Sequence, residues 1–202
     1  MSGGFKAAAW AVAIALVAAC TLTLLLLLVP AFLPDPLAQA IADPTAAAAG
    51  LLCMVVPVLE LANLVLGVVA AATPRPDALP TARAIMLLFK VGLIPFFLMG
   101  GCLMALCLIL GLHPVLPFIG WGMAAALAAM GWTALASGSI WAIGCAVSLL
   151  RSGAIGGGEL AVHVVLQLLF VGDVVDAVWL FVRSAPATRA LRAPNTVQEV
   201  RP

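Results

Sequence analysis

"LQLLFVGDVVDAVWLF", residues 166–181, decides how this chain is read. The stretch is apolar enough to sit in a bilayer, yet it carries Asp173 and Asp176 near its middle. The composition says which solvent surrounds it. Of 202 residues, 65% are hydrophobic and 8% charged, against roughly 25% charged in an ordinary soluble domain. Eight acids and nine bases cannot supply a polar shell for a soluble fold of this size. The sequence therefore specifies an integral membrane protein whose first partner is the lipid bilayer. The net charge of +1 excludes nucleic acid, which demands a basic face. Tyr is absent, so an interfacial aromatic belt rests on the five tryptophans alone.

Apolar runs long enough to span, about 20 residues, occur at 7–33, 50–73, 84–112, 118–150 and 159–182. They predict an all-α bundle of five transmembrane helices in one domain, residues 1–183. The tail 184–202 is polar and contains prolines, and is expected to be disordered. The breaks carry turn chemistry. "LPDPLAQAIADPTAAAAG" (33–50) holds three prolines and room for a short interfacial helix, and "TPRPDALPTAR" (73–83) reads as a turn. "GLHPVLP" (111–117) is a tight hairpin and "RSGAIGGGE" (151–159) a glycine loop. The 118–150 run is long for one span and short for two. It reads as one helix, with a break near "GWTALASGS" (131–139) as the six-span alternative.

Lys and Arg in short loops set orientation. The loops at 34–49 and 112–117 contain neither, whereas Lys6, Arg75, Arg83, Lys90 and Arg151 share the other side of a five-span model. That side, with the N-terminus, is assigned to the cytoplasm of a bacterial inner membrane. The tail conflicts with this, because five spans place Arg183, Arg189, Arg192 and Arg201 outside. "LVAAC" (16–20) has the form of a lipoprotein cleavage box, but the apolar run continues past Cys20, so an uncleaved first span is expected. The cysteines at 20, 53, 102, 107 and 145 form no CxxC and have no acid or histidine at ligand spacing. They read as small hydrophobes, and no metal or cofactor is implied.

Ionisable groups within a span cost roughly 2.5–3.5 kcal/mol each and default to the bundle interior. The candidate polar cluster is Glu60, Asn63, Lys90, His163, Gln167, Asp173 and Asp176. At 1.5 Å per residue from the cytoplasmic ends, Glu60 and Asp173 both lie about 20 Å deep, with Lys90 at about 10 Å and His163 and Gln167 at about 6 and 12 Å. Glu60 and Asn63 share a helix face, as do His163 and Gln167. The depth match predicts Asp173 beside Glu60, and Asp176 turned towards Arg183. Pro95 cannot donate to the carbonyl of Val91 and predicts a kink beside Lys90.

Residues 124–145 carry a different signal. Gly131, Ala134, Gly138 and Ala142, flanked by Ala124, Ala128 and Cys145, form a small-residue stripe that lets helices approach closely, within the chain or at a seam with a second copy. Trp121, Trp132 and Trp141 on that run read as anchors or fillers. "DVVDAVWLF" invites comparison with CDP-alcohol phosphatidyltransferases, but Ala177 stands where glycine is needed and no later aspartate follows. No HExxH, GxSxG or Walker pattern is present, so no complete catalytic set is visible.

"KVGLIPFF" (90–97) together with "LQLLFVGDVVDAVWLFVR" (166–183) resembles a family of small, uncharacterised multi-pass bacterial membrane proteins. In that family a lysine precedes an Ile-Pro-aromatic element, and the last span carries a glutamine, a phenylalanine and an aspartate. The matching positions are Lys90, Ile94, Pro95, Phe96, Gln167, Phe170 and Asp173. The loop at 151–158 departs from the pattern, being glycine-rich where relatives are basic. The resemblance implies a fold and a topology and brings no activity. The function expected is a non-enzymatic membrane protein with a mid-depth polar cluster. The alternative is a small proton- or cation-linked transporter, or a membrane subunit of a larger uptake complex.

Overall fold

A computed structural model describes residues 3–73, 78–186 and 188. These form helices α1 (Gly3–Leu28), α2 (Asp35–Ala72), α3 (Ala78–Gly92), α4 (Ile94–Gly111), α5 (Pro117–Arg151), α6 (Gly157–Leu166) and α7 (Phe170–Arg183). A 3-10 turn, Val29–Phe32, extends α1, and there is no strand among the described residues. Four stretches, Gly3–Phe32, Asp35–Ala72, Ala78–Gly111 and Pro117–Arg151, are long and apolar enough to cross a membrane. The tail beyond residue 188 lies outside the described residues, as do residues 74–77 of the expected turn.

The segment 33–50, expected to be a break with room for a short interfacial helix, instead continues from Asp35 onward as the first part of α2. Pro36 falls within the first turn, where its missing N–H costs nothing, and Asp35 complements the positive end of the helix dipole. Ala46–Ala49 then supply the strongest helix formers. Pro44 and Pro57 are carried inside the helix. Beside Pro44, the hydroxyl of Thr45 donates to the carbonyl of Ile41 at 2.7 Å.

The third run is interrupted beside Pro95. The chain leaves the α-helix at Leu93, and Pro95 sits in the first turn of α4, where its ring is tolerated. By contrast, α5 runs unbroken through 131–139, so the six-span alternative has no break to rest on. Its hydroxyls leave the backbone ladder intact, Ser137 Oγ lying 3.2 Å from the carbonyl oxygen of Thr133 and Ser139 Oγ 2.9 Å from that of Leu135. Of the four long apolar stretches α5 is the most buried, and it packs against α2, α3, α4, α6 and α7. Gly131, Ala134, Gly138 and Ala142 are all buried within the chain. A β-carbon at Gly138 would lie 3.2 Å from Phe89 Cβ and 3.3 Å from Lys90 Nζ, so glycine there makes room for the lysine head.

The largest departure from expectation is the 159–182 run. It is not one helix but two, separated at Gln167–Leu169, where Leu169 is extended (φ −106°, ψ 124°). Gly172 permits the fold-back: a β-carbon there would sit 3.0 Å from the carbonyl oxygen of Leu166. In one straight helix His163 and Asp176 would stand about 20 Å apart. Here their side chains are hydrogen-bonded. Further out, Arg183 Nη2 reaches Glu159 Oε1 at 4.0 Å and donates to the carbonyl of Ala154 at 3.2 Å. The two helices are therefore antiparallel, and α7 ends where α6 begins. Arg83, near the start of α3, donates to the carbonyl of Phe181 and stacks on its ring at 3.8 Å. Arg151, at the end of α5, donates to the carbonyl of Ala71 at 2.6 Å. One end of the bundle thus gathers Arg83, Arg151 and Arg183.

Candidate functional site

The tip of the α6–α7 hairpin brings four polar side chains, His163, Gln167, Asp173 and Asp176, against Lys90 of α3 and Ser139 of α5. Asp173 lies in the first turn of α7, where the helix dipole favours a carboxylate. It is ion-paired with Lys90 and accepts a hydrogen bond from Ser139 Oγ at 3.3 Å. Ser139 Oγ also lies 3.2 Å from the carbonyl oxygen of Gln167, one of the groups freed by the helix break. Gln167 then joins two charged pairs. Its Oε1 accepts a long hydrogen bond from Lys90 Nζ at 3.5 Å, and its Nε2 donates to Asp176 Oδ2 at 2.5 Å. The other oxygen of Asp176 accepts from His163 Nδ1. Among the described residues His163 Nε2 has no hydrogen-bond partner, and it stands 3.9 Å from Glu159 Oε1. Gln167 and Asp176 are each 1% exposed and Asp173 2%, whereas the Glu159 side chain is 35% exposed. A connected line of polar groups thus runs from the surface at Glu159 to the interior at Asp173.

A second cluster lies on another face of α5. Ser137 Oγ donates to Glu60 Oε2, Asn63 Nδ2 donates to the carbonyl of Ser137 at 3.1 Å, and Trp141 Nε1 donates to Asn63 Oδ1 at 2.9 Å. Glu60 Oε1 is buried without a hydrogen-bond partner among the described residues. Glu60 and Asp173 are therefore not brought together. Ser137 and Ser139 point about 200° apart round the helix axis, so α5 stands between the two carboxylates. Asp176 is likewise not paired with Arg183, because the fold-back carries it to His163 and Gln167 instead.

Ser137 and Ser139, absent from the cluster expected from sequence, carry much of this polar bonding, and Trp141, expected as an anchor or filler, is buried and adds a hydrogen bond to Asn63. The signal was the pair of serines flanking Gly138 in an otherwise apolar helix. A cavity of about 480 Å³ adjoins the hairpin tip. Its wall is apolar, with Phe96, Phe97, Met104 and Leu135 among the contributors, except for Lys90 and Asp173. Among the described residues, no group of three or more His, Cys, Asp or Glu is placed to hold a metal ion.

Fold and site together define a class: an α-helical chain with four long apolar helices and a buried ionic network beside an apolar cavity. Within that class, the chain belongs to a family of unknown function, DUF6652, whose model matches residues 7–186. No curated protein and no solved structure matches it.

Proposed function

We propose that this is a non-enzymatic multi-pass membrane protein of a bacterial inner membrane that links protons to a site at mid-depth. It crosses four times and ends in a re-entrant hairpin. The lengths support that count: α6 and α7 measure about 15 and 21 Å, half or a little more of a core about 30 Å thick. Backbone that is irregular at membrane depth is tolerated where protein covers it, and Ser139 and the Leu166–Leu169 turn do so here. Four crossings also remove the charge conflict. The tail arginines then share the cytoplasmic side with Lys6, Arg75, Arg83 and Arg151, and the loop at 112–117, free of Lys and Arg, lies outside.

The observation that carries the proton reading is the order Glu159, His163, Asp176, Gln167, Lys90, Asp173, hydrogen-bonded or ion-paired from His163 inward and with Glu159 3.9 Å from His163 Nε2. Histidine and carboxylates exchange protons, and the glutamine can pass a hydrogen bond between them. The order starts at the bundle end and finishes on the cavity wall. The test uses purified protein in liposomes with a trapped pH-sensitive dye and a potassium diffusion potential, negative inside. Proton entry should exceed that of protein-free vesicles. Asp176→Asn keeps the shape but removes the titratable link, and should abolish entry in protein that still reconstitutes folded, at some cost in melting temperature because its amide cannot accept from both His163 and Gln167. Entry no faster than in empty vesicles, or unchanged in Asp176→Asn, refutes the reading.

A further inference from the structure

The hairpin fills only the inner half of the groove beside α5, and the cavity takes up the outer half. Its contributors from α4 and α5, residues 94–104 and 127–135, all lie beyond the hairpin tip, as does Leu24 of α1. Leu98 and Val174 line it and are 66% and 54% exposed, so its mouth opens sideways, towards lipid on the membrane reading above. We infer that this cavity binds an uncharged, hydroxyl-bearing apolar molecule, its hydroxyl seated on the Lys90–Asp173 pair and its apolar body along α4 and α5.

Three observations select that chemistry. The volume falls within the roughly 300–1,000 Å³ of small-molecule pockets, and the lining is apolar apart from its floor. The floor is a paired cation and anion with no net charge. A charged ligand would leave one ion uncompensated in an apolar setting. The pair also keeps one donor and one acceptor to spare. A lysine ammonium has three N–H donors, of which Asp173 Oδ1 and Gln167 Oε1 take two. Asp173 accepts through Oδ1 alone, leaving Oδ2 without a hydrogen bond among the described residues. A hydroxyl satisfies both, accepting from Lys90 and donating to Asp173. An ether or ketone satisfies one, and an alkane neither.

The test is photolabelling with diazirine-bearing ten-carbon probes that share a tail: decanol, decane, decanoate and decyltrimethylammonium. Purified protein is labelled in detergent and in phosphatidylethanolamine–phosphatidylglycerol nanodiscs, and labelled peptides are located by mass spectrometry. The decanol probe should label residues 94–104 and 127–135 roughly tenfold more than the decane probe, the worth of one or two hydrogen bonds. Both charged probes should label there less than decanol. Gly101→Phe should remove this labelling while leaving the melting temperature near the parent's. Gly101 lines the cavity, and an added β-carbon there meets nothing within 4 Å. Equal labelling by decane or by a charged probe overturns the inference, as does a Gly101→Phe pattern like the parent's. Labelling seen in detergent but lost in nanodiscs assigns the cavity to a phospholipid chain and overturns it too. The inference rests on the membrane reading above, but labelling needs no proton gradient and proton entry needs no probe, so the two fail separately.

Discussion

Replacing Lys90 by Met removes one half of a buried ion pair and should be among the most damaging single changes in the chain. Methionine keeps the length and apolar stem of lysine, so the packing against Gly138 is largely retained. What is lost is the partner of Asp173, a residue 2% exposed whose remaining hydrogen bond is a 3.3 Å contact from Ser139. Breaking a buried pair this way costs about 3–5 kcal/mol. An independent bound comes from the escape open to the stranded carboxylate, which is to take a proton. For an ordinary carboxyl of pKa about 3.9, that costs about 4 kcal/mol at pH 7 and about 1.5 kcal/mol at pH 5. The deficit of Lys90→Met should therefore shrink by about 2–3 kcal/mol on lowering the pH from 7 to 5, a direction opposite to ordinary acid destabilisation. Lys90→Met/Asp173→Leu leaves no charge stranded and should recover most of the loss at pH 7. Unfolding in mixed micelles, followed by the five tryptophans, measures all three proteins. A single variant as stable as the double, or with the same deficit at both pH values, refutes the account of the pair as a buried charge and its counter-ion.

Gly138→Leu should lose about 1–3 kcal/mol by overpacking, because its β-carbon meets Phe89 and Lys90 at 3.2–3.3 Å; an unchanged unfolding midpoint counts against the tight α3–α5 crossing. Trp141→Phe strands Oδ1 of Asn63, a residue 0% exposed, and should cost about 1–3 kcal/mol in the same assay; a loss below about 0.5 kcal/mol, typical of surface changes, would place that amide in contact with another donor. Reporter fusions after residues 40 and 115 should read external and a fusion at the C-terminus internal; an external C-terminus defeats the re-entrant hairpin.

The all-helical architecture was legible because hydropathy dominates the chain, and the interruption at Leu93 because proline acts on its own helix. The inclusion of Asp35–Gly50 in α2 was not, since Pro36 and Pro44 signal a break more strongly than a run of alanines signals a helix. The last run failed for a different reason. Its length and hydropathy fit a crossing helix, and no proline marks the turn at Gln167–Leu169. What folds it back is the pairing of Asp176 with His163 and Gln167 and of Asp173 with Lys90, and such long-range pairing leaves no mark in local sequence. The residues of the polar cluster could be picked out one by one, because each is a charge or amide in an apolar run. Their partners could not. Depth along an assumed straight span matched Glu60 with Asp173, but α5 and its serines lie between them.

The fold-back between α6 and α7 has a consequence for how the protein is made. The segment with two acids, a histidine and a glutamine follows α1 to α5 in the chain and so emerges from the ribosome after them. On the four-crossing reading nothing after Arg151 has to pass through the membrane, so the four arginines at positions 183–201 never face the cost of translocation. The hairpin can dock from the cytoplasmic side into a bundle already assembled, its aspartates meeting Lys90 and Ser139 as they leave water. Chains truncated after Arg151 should then still insert, and a separately expressed 152–202 fragment becomes a natural reagent for complementing them.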